Sequence, residues 1–176
     1  MTDFISSNAD YILFFSGVSF IMQASLLFPL AQRKREIIPW KYPGAFSLLC
    51  GIALWLEMIP IGFSDSLIFA AVRIALLAAG LLYLVEFGRA GSAALGDRVP
   101  GRWIVAVPAA VALAGLFGGI GGLNGAVRYV IGIPGGLWSA LVLWRYRSVA
   151  GSGGNALAAS SAGLVSGCVG IALAAP

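Results

Sequence analysis

Long apolar runs, separated by short polar and basic stretches, make up most of this chain. A membrane-spanning helix needs about 20 mainly apolar residues. Six runs approach that length, and they predict helices over 11–30, 44–63, 67–85, 103–123, 126–144 and 157–175. The sixth is rich in Ala, Gly and Ser rather than in Leu and Ile. The stretch IIPWKYPG carries two prolines, which break a helix there, and GSGGN (Gly151 to Asn155) reads as a flexible loop. There is no internal repeat. The short connections predict that neighbouring helices are adjacent and antiparallel. The expected fold is an all-α membrane protein, a single bundle of six transmembrane helices.

Composition strengthens that reading. Of the 176 residues, 60% are hydrophobic and 10% charged, against about 25% charged in soluble domains. The formal charge of +4 does not point to nucleic acid, because the basic residues sit in the loops. Arg33, Lys34, Arg35 and Lys41 lie in the first loop, Arg89, Arg98 and Arg102 in the third, and Arg145 and Arg147 in the fifth. The other side has Asp3, Asp10 and Asp65, with Arg128 as its candidate base. The excess of Lys and Arg on one side places the N-terminus outside and the odd-numbered loops inside. Asp3 and Asp10 stand where a signal peptide would be basic. Six crossings leave Pro176 outside, so a cytoplasmic output domain requires a seventh helix. The expectation is a truncation lacking both, the alternative being a complete small membrane protein. Trp40, Tyr42, Trp103, Trp144 and Tyr146 fall at predicted inner boundaries, the depth that amphipathic rings favour.

Chemistry enters with the charges inside the apolar runs. A carboxylate at membrane depth costs roughly 2.5–3.5 kcal/mol on insertion scales, and the second run carries Glu57. The third carries Arg73. Counted from the ends of the runs, both lie about 9 Å below the outer surface, which predicts that they face each other as an ion pair. The pair reads either as a clamp between two helices or as the wall of a pocket in the outer half. Arg128, near the start of the fifth run, either snorkels to the headgroups or competes with Arg73 for Glu57. Gln23 lies mid-helix and should face protein. Glu86 sits at the inner end of the third run, beside Arg89. Pro134 is expected to kink the fifth helix, and carbonyls freed there can line a cavity. Trp55, Met58 and Cys50 share the second run with Glu57 and complete the candidate pocket. With no histidine and two distant cysteines, Cys50 and Cys168, a zinc site and a disulfide framework are not expected, and the cysteines read as inert buried thiols. The sequence does not identify a cofactor.

Glycine spacing adds a packing signal. Gly115 and Gly119, Gly118 and Gly122, and Gly163 and Gly167 stand four apart, as do Ser166 and Gly170. Small residues at that spacing let helices approach closely, within one chain or as the seam of a homodimer.

Several short motifs resemble one family. Phe14, Gly17 and Phe20 fit an F-x-x-G-x-x-F first-helix pattern. Gly51, Trp55, Glu57 and Met58 are similar to a second-helix motif H-G-x-x-E-W-x-E-M, with Cys50 in place of the histidine and Leu54 in place of a glutamate. EFGR (Glu86 to Arg89) and RYVIGIPGG (Arg128 to Gly136) look like the end of the third helix and the opening of the fifth. Together they resemble the N-terminal multi-pass membrane region ahead of bacterial sensor histidine kinases and related signalling proteins. The resemblance implies a dimeric sensor input region in the bacterial inner membrane, without catalysis of its own. The stimulus expected is a small apolar or amphipathic molecule, such as a lipid or quinone, or the bilayer itself. The competing class is a small transporter or channel. A membrane enzyme finds little support, since a lone Glu57 without histidine or a second carboxylate offers little acid–base or metal chemistry.

Overall fold

The computed structural model describes residues 9–32, 37–62 and 67–148, and every element among them is helical. The elements are α1 (Ala9–Ala31), α2 (Lys41–Gly62), α3 (Leu67–Ala94), α4 (Trp103–Leu113), a 3-10 turn (Ala114–Gly118), α5 (Gly119–Ala126), a π-helical turn (Val127–Gly132) and α6 (Ile133–Tyr146). Three helical stretches are long and apolar enough to cross a membrane: Tyr11–Ala31, Leu67–Ala94 and Trp103–Tyr146. The sixth predicted helix, with Cys168 and the glycines of that run, lies outside the described residues. So do Asp3, Arg33, Lys34, Arg35, Asp65 and the GSGGN loop.

The third stretch folds back on itself. Gly119 has φ +72° and ψ −162°, a conformation open essentially to glycine alone, and the chain reverses there. Gly115 in one arm then lies against Gly122, Leu123 and Ala126 in the other, so closely that a Cβ on Gly115 would stand 2.7 Å from the Gly122 carbonyl oxygen. The sequence predicts two helices meeting between 123 and 126; the reversal falls instead at Gly118 and Gly119. The four-residue glycine spacings therefore mark no helix-crossing face here. Gly115 and Gly122 face each other across the turn, while Gly118 and Gly119 have open space around them.

Helix α3 is central and touches α2, α4, the π turn and α6. Leu81, Leu84 and Val85 on α3 pack with Phe46 and Cys50 of α2 and with Ala112, Val127 and Ile131 of the hairpin. Glycines set the distances. Gly17 of α1 and Gly51 of α2 lie against each other, Gly80 of α3 lies against Cys50, and Gly88 of α3 lies against Trp138 of α6. Helix α3 also runs past its predicted end at Val85, continuing to Ala94, where Gly96 at φ +88° turns the chain away. At 1.5 Å per residue it is about 42 Å long, well beyond a hydrocarbon core of about 30 Å.

Two groups of hydrogen bonds fasten α6 to α3. The Ser139 hydroxyl, fully buried, donates to the Leu84 carbonyl at 2.8 Å, and the Trp138 indole donates to the Ser92 hydroxyl at 3.0 Å. Ser139→Ala is expected to lower stability by about 1 kcal/mol, read as a lower midpoint of thermal unfolding in detergent; an unchanged midpoint would show that this bond contributes nothing net. The outer faces are apolar. Leu26, Leu67, Ile68 and Phe117 are exposed, Phe117 almost wholly at 98%, a pattern that fits lipid as the surrounding solvent better than water.

The antiparallel arrangement sorts the polar residues to two ends. One end gathers Lys41, Glu86, Arg89, Asp97, Arg102 and Arg145. The other holds Glu57, Arg73, the Gly118–Gly119 reversal and Arg128.

Candidate functional site

Glu57 is five residues before the end of α2, and its neighbours along that helix are apolar and give its carboxylate few partners. The structure supplies one from far along the chain. Arg128 Nη2 stands 3.2 Å from Glu57 Oε1, and Arg128 Nε donates to Asn124 Oδ1 at 3.0 Å. The guanidinium side chain is 12% exposed and the carboxylate side chain 32%. Local structure explains the placement. Pro134 has no N–H to return to the carbonyl four residues earlier, and the helix ahead of it widens into the π turn Val127–Gly132. Such turns accompany functional sites in many helices. Arg128 is its second residue, and Asn124 lies one turn back on α5.

This corrects the pairing expected from the sequence. Among the described residues Glu57 takes Arg128 as its ion-pair partner, the alternative expected of Arg128 to snorkelling at a helix start. Because the hairpin reverses at Gly119, Arg128 lies nine residues down the second arm, about 14 Å along it. Arg73 stands on the wall of a small cavity beside the pair, with Glu57, Ile74, Leu77, Ile120 and Asn124. That cavity measures about 80 Å³ as bounded by the described residues. It has room for a few water molecules and is several-fold smaller than the roughly 300–1,000 Å³ of sites that hold drug-sized ligands.

The other predicted pocket residues lie elsewhere. Trp55 packs between α1 and α2, its ring stacked 6.3 Å from that of Phe14 and its indole N–H 3.4 Å from the Phe14 carbonyl. Cys50 is a buried thiol against Gly80 in the α2–α3 seam. The Ser47 hydroxyl donates to Gln23 Oε1 at 3.1 Å, tying α1 to α2, but Gln23 is exposed among the described residues rather than facing protein as expected. Pro134 is exposed in the first turn of α6, and Met58 is half-buried; neither lines the cavity. Of the eight candidates, the structure brings together Glu57, Arg73 and Arg128. Sequence reasoning missed Asn124, whose only signal was its position one helical turn before an intramembrane arginine.

At the opposite end Arg89 donates twice to Glu86, at 2.6 and 2.8 Å, and Arg102 lies 3.5 Å from the same carboxylate. Arg145 at the end of α6 pairs with Asp97 in the loop after α3, through two hydrogen bonds, one of them 3.0 Å long. The Arg145 hydrogen bonds and charge hold the Asp97 carboxyl below its ordinary range. A carboxylate with a depressed pKa stabilises the fold above its unfolded pKa, and that contribution is lost as pH falls through the folded value. The expected result is a gap in melting temperature between the native protein and Asp97→Asn. It should be constant at neutral pH and close below the normal aspartate range; a gap that persists in acid would refute the linkage. Among the described residues no three His, Cys, Asp or Glu side chains cluster.

The Glu57–Arg128 pair links two parts of the bundle. Glu57 belongs to the α1–α2 pair, and Arg128 to the hairpin that packs on the other side of α3. A bond of this kind either clamps the two parts or, when its partners change, lets them move. No protein-family model matches the chain, and neither does any curated protein or solved structure.

Proposed function

We propose that the chain is the membrane-embedded signal-input domain of a bacterial signalling protein of the histidine-kinase type. Its six helices cross the inner membrane with the N-terminus outside. The observation that carries this reading is the Glu57–Arg128 pair beside its small polar cavity, joining α2 to the π turn of the last described hairpin. A signal-input domain needs two packings close in free energy and a local event that favours one of them. The pair supplies the local event. Glycine seams between α3 and its neighbours, with Gly80 on one side and Gly88 and Gly135 on the other, favour small sliding movements over interlocked side chains. The size of the cavity directs the reading toward a stimulus acting on the pair itself, such as bilayer thickness or a polar solute of a few atoms.

In this reading the surrounding lipids are direct partners, and a second copy of the chain is the natural one for relaying the signal. The test is the reading frame beyond the codon for Pro176. Continuation through a further apolar helix into a phosphoacceptor histidine and an ATP site upholds the reading. A stop codon there, with solute flux in liposomes carrying the 176-residue chain, would replace it with transport.

A further inference from the structure

The end of the bundle away from Glu57 holds a larger cavity that the sensor reading leaves without a role. It has a volume of about 470 Å³ and is open rather than enclosed, within the range of sites that bind small molecules. Its walls come from α2, α3 and α4 and are apolar: Ala79, Leu82 and Val105, with the rings of Tyr42 and Tyr83 6.5 Å apart. Its charged groups, among the described residues, are Glu86 and Arg102, which meet at 3.5 Å.

Among the described residues, the charge at the cavity rim is unbalanced. Glu86 already receives two hydrogen bonds from Arg89, at 2.6 and 2.8 Å, so one guanidinium answers the one carboxylate. Arg102 is a second cation, 3.5 Å from the same oxygen and with its side chain 79% exposed. Lys41 adds a third, its ammonium 4.9 Å from the centre of the Tyr42 ring. Depth fits as well. Glu86 is 19 residues beyond the start of α3, about 28 Å along the helix, close to the thickness of the hydrocarbon core. The apolar walls therefore lie at acyl depth and the cations at headgroup depth, in a leaflet-facing groove.

We infer that this cavity binds an anionic phospholipid of the bilayer. One acyl chain occupies the recess against Leu82 and Val105. The lipid phosphate takes hydrogen bonds from Arg102, whose planar guanidinium matches phosphate geometry, within reach of the Lys41 ammonium. A zwitterionic lipid would bring a further cation to a rim that already has an excess, and a soluble phosphate would leave the apolar walls uncovered. The site is independent of the sensor reading, since lipid retention is measured without any signalling output.

The experiment is native mass spectrometry of the full chain in mild detergent, titrated with phosphatidylglycerol and, separately, phosphatidylcholine. The native chain should retain phosphatidylglycerol in preference, and added glycerophosphate should not displace it. Arg102→Gln should weaken phosphatidylglycerol binding about fivefold and leave phosphatidylcholine unaffected. Val105→Trp, which fills the recess, should weaken it as well. Arg98→Gln, which removes an exposed cation from the neighbouring loop, should bind as the native chain does. Equal affinity for the two lipids, displacement by glycerophosphate, equal losses in the Arg98 and Arg102 variants, or an unaffected Val105→Trp would each overturn the proposal. If Arg102→Gln loses its helical circular dichroism, Val105→Trp and the lipid comparison decide alone.

Discussion

Gly115→Leu is expected to lower the stability of this protein by about 3 kcal/mol, at the upper end of the usual range for overpacking. The reason is what a side chain at 115 would meet. A Cβ there stands 2.7 Å from the Gly122 carbonyl oxygen, 3.0 Å from Leu123 Cα and 2.6 Å from Ala126 Cβ. These are backbone atoms or the first side-chain carbon, and none can rotate aside. The two arms of the hairpin must separate, and the separation is transmitted to Ala112 and Val127, which pack together in the core beneath. Gly118→Ala is the matched comparison. Gly118 has open space around it and φ −92°, so the stability of this variant should stay within about 0.5 kcal/mol of the native protein. Thermal unfolding in detergent, followed by circular dichroism, gives both values. Similar midpoints for the two variants would mean that the arms are not in contact as described.

The second large effect concerns the ion pair. Glu57→Ala leaves Arg128, 12% exposed, without its carboxylate. Breaking a buried pair by removing one member costs about 3–5 kcal/mol, and the 32% exposure of Glu57 places this case near about 3 kcal/mol. Arg128→Met should cost less, because the carboxylate left behind is the better solvated of the two. The double variant should be more stable than the sum of the singles implies, with a coupling of at least about 1 kcal/mol. A coupling near zero would show that the two groups do not interact in the membrane-like environment.

How far the sequence carried these conclusions differs between elements. The apolar runs located α1 and α2 to within a few residues, because the length of a lipid-facing run is a direct reading of membrane thickness. The same logic misjudged α3. Hydropathy drops at Glu86, yet EFGRAGSAA contains nothing that stops a helix until Gly96, so the helix outlasts its apolar face. The hairpin reversal was displaced for another reason. In the run FGGIGGLNG many glycines permit a turn, and only the positive φ of Gly119 identifies the one that makes it. That displacement then explains the pairing. Depth counted from the assumed turn put Arg128 near the membrane surface, whereas counting from Gly119 carries it inward to the carboxylate; Arg73, placed from the ends of the second and third runs, does stand beside Glu57 at the cavity wall. Trp55 was read as a pocket residue because it is near Glu57 in sequence, but two residues along a helix is about 200° around it, and its ring faces α1 instead.

The π turn has a consequence for the phase of the last described helix. A π turn holds one residue more than the α-helical turn it replaces, and each residue of an α-helix advances the side-chain direction by about 100°. The surplus residue between Val127 and Gly132 therefore acts as a phase shifter. At its start, the chain directs Arg128 toward Glu57; beyond it, the chain directs Gly135, Ser139 and Val142 toward α3. A helix of uniform pitch through this stretch could satisfy one of these alignments and would rotate the other away. A single-residue deletion here would thus act at a distance, swinging the whole Ile133–Tyr146 face by about a quarter turn while leaving every residue in it unchanged.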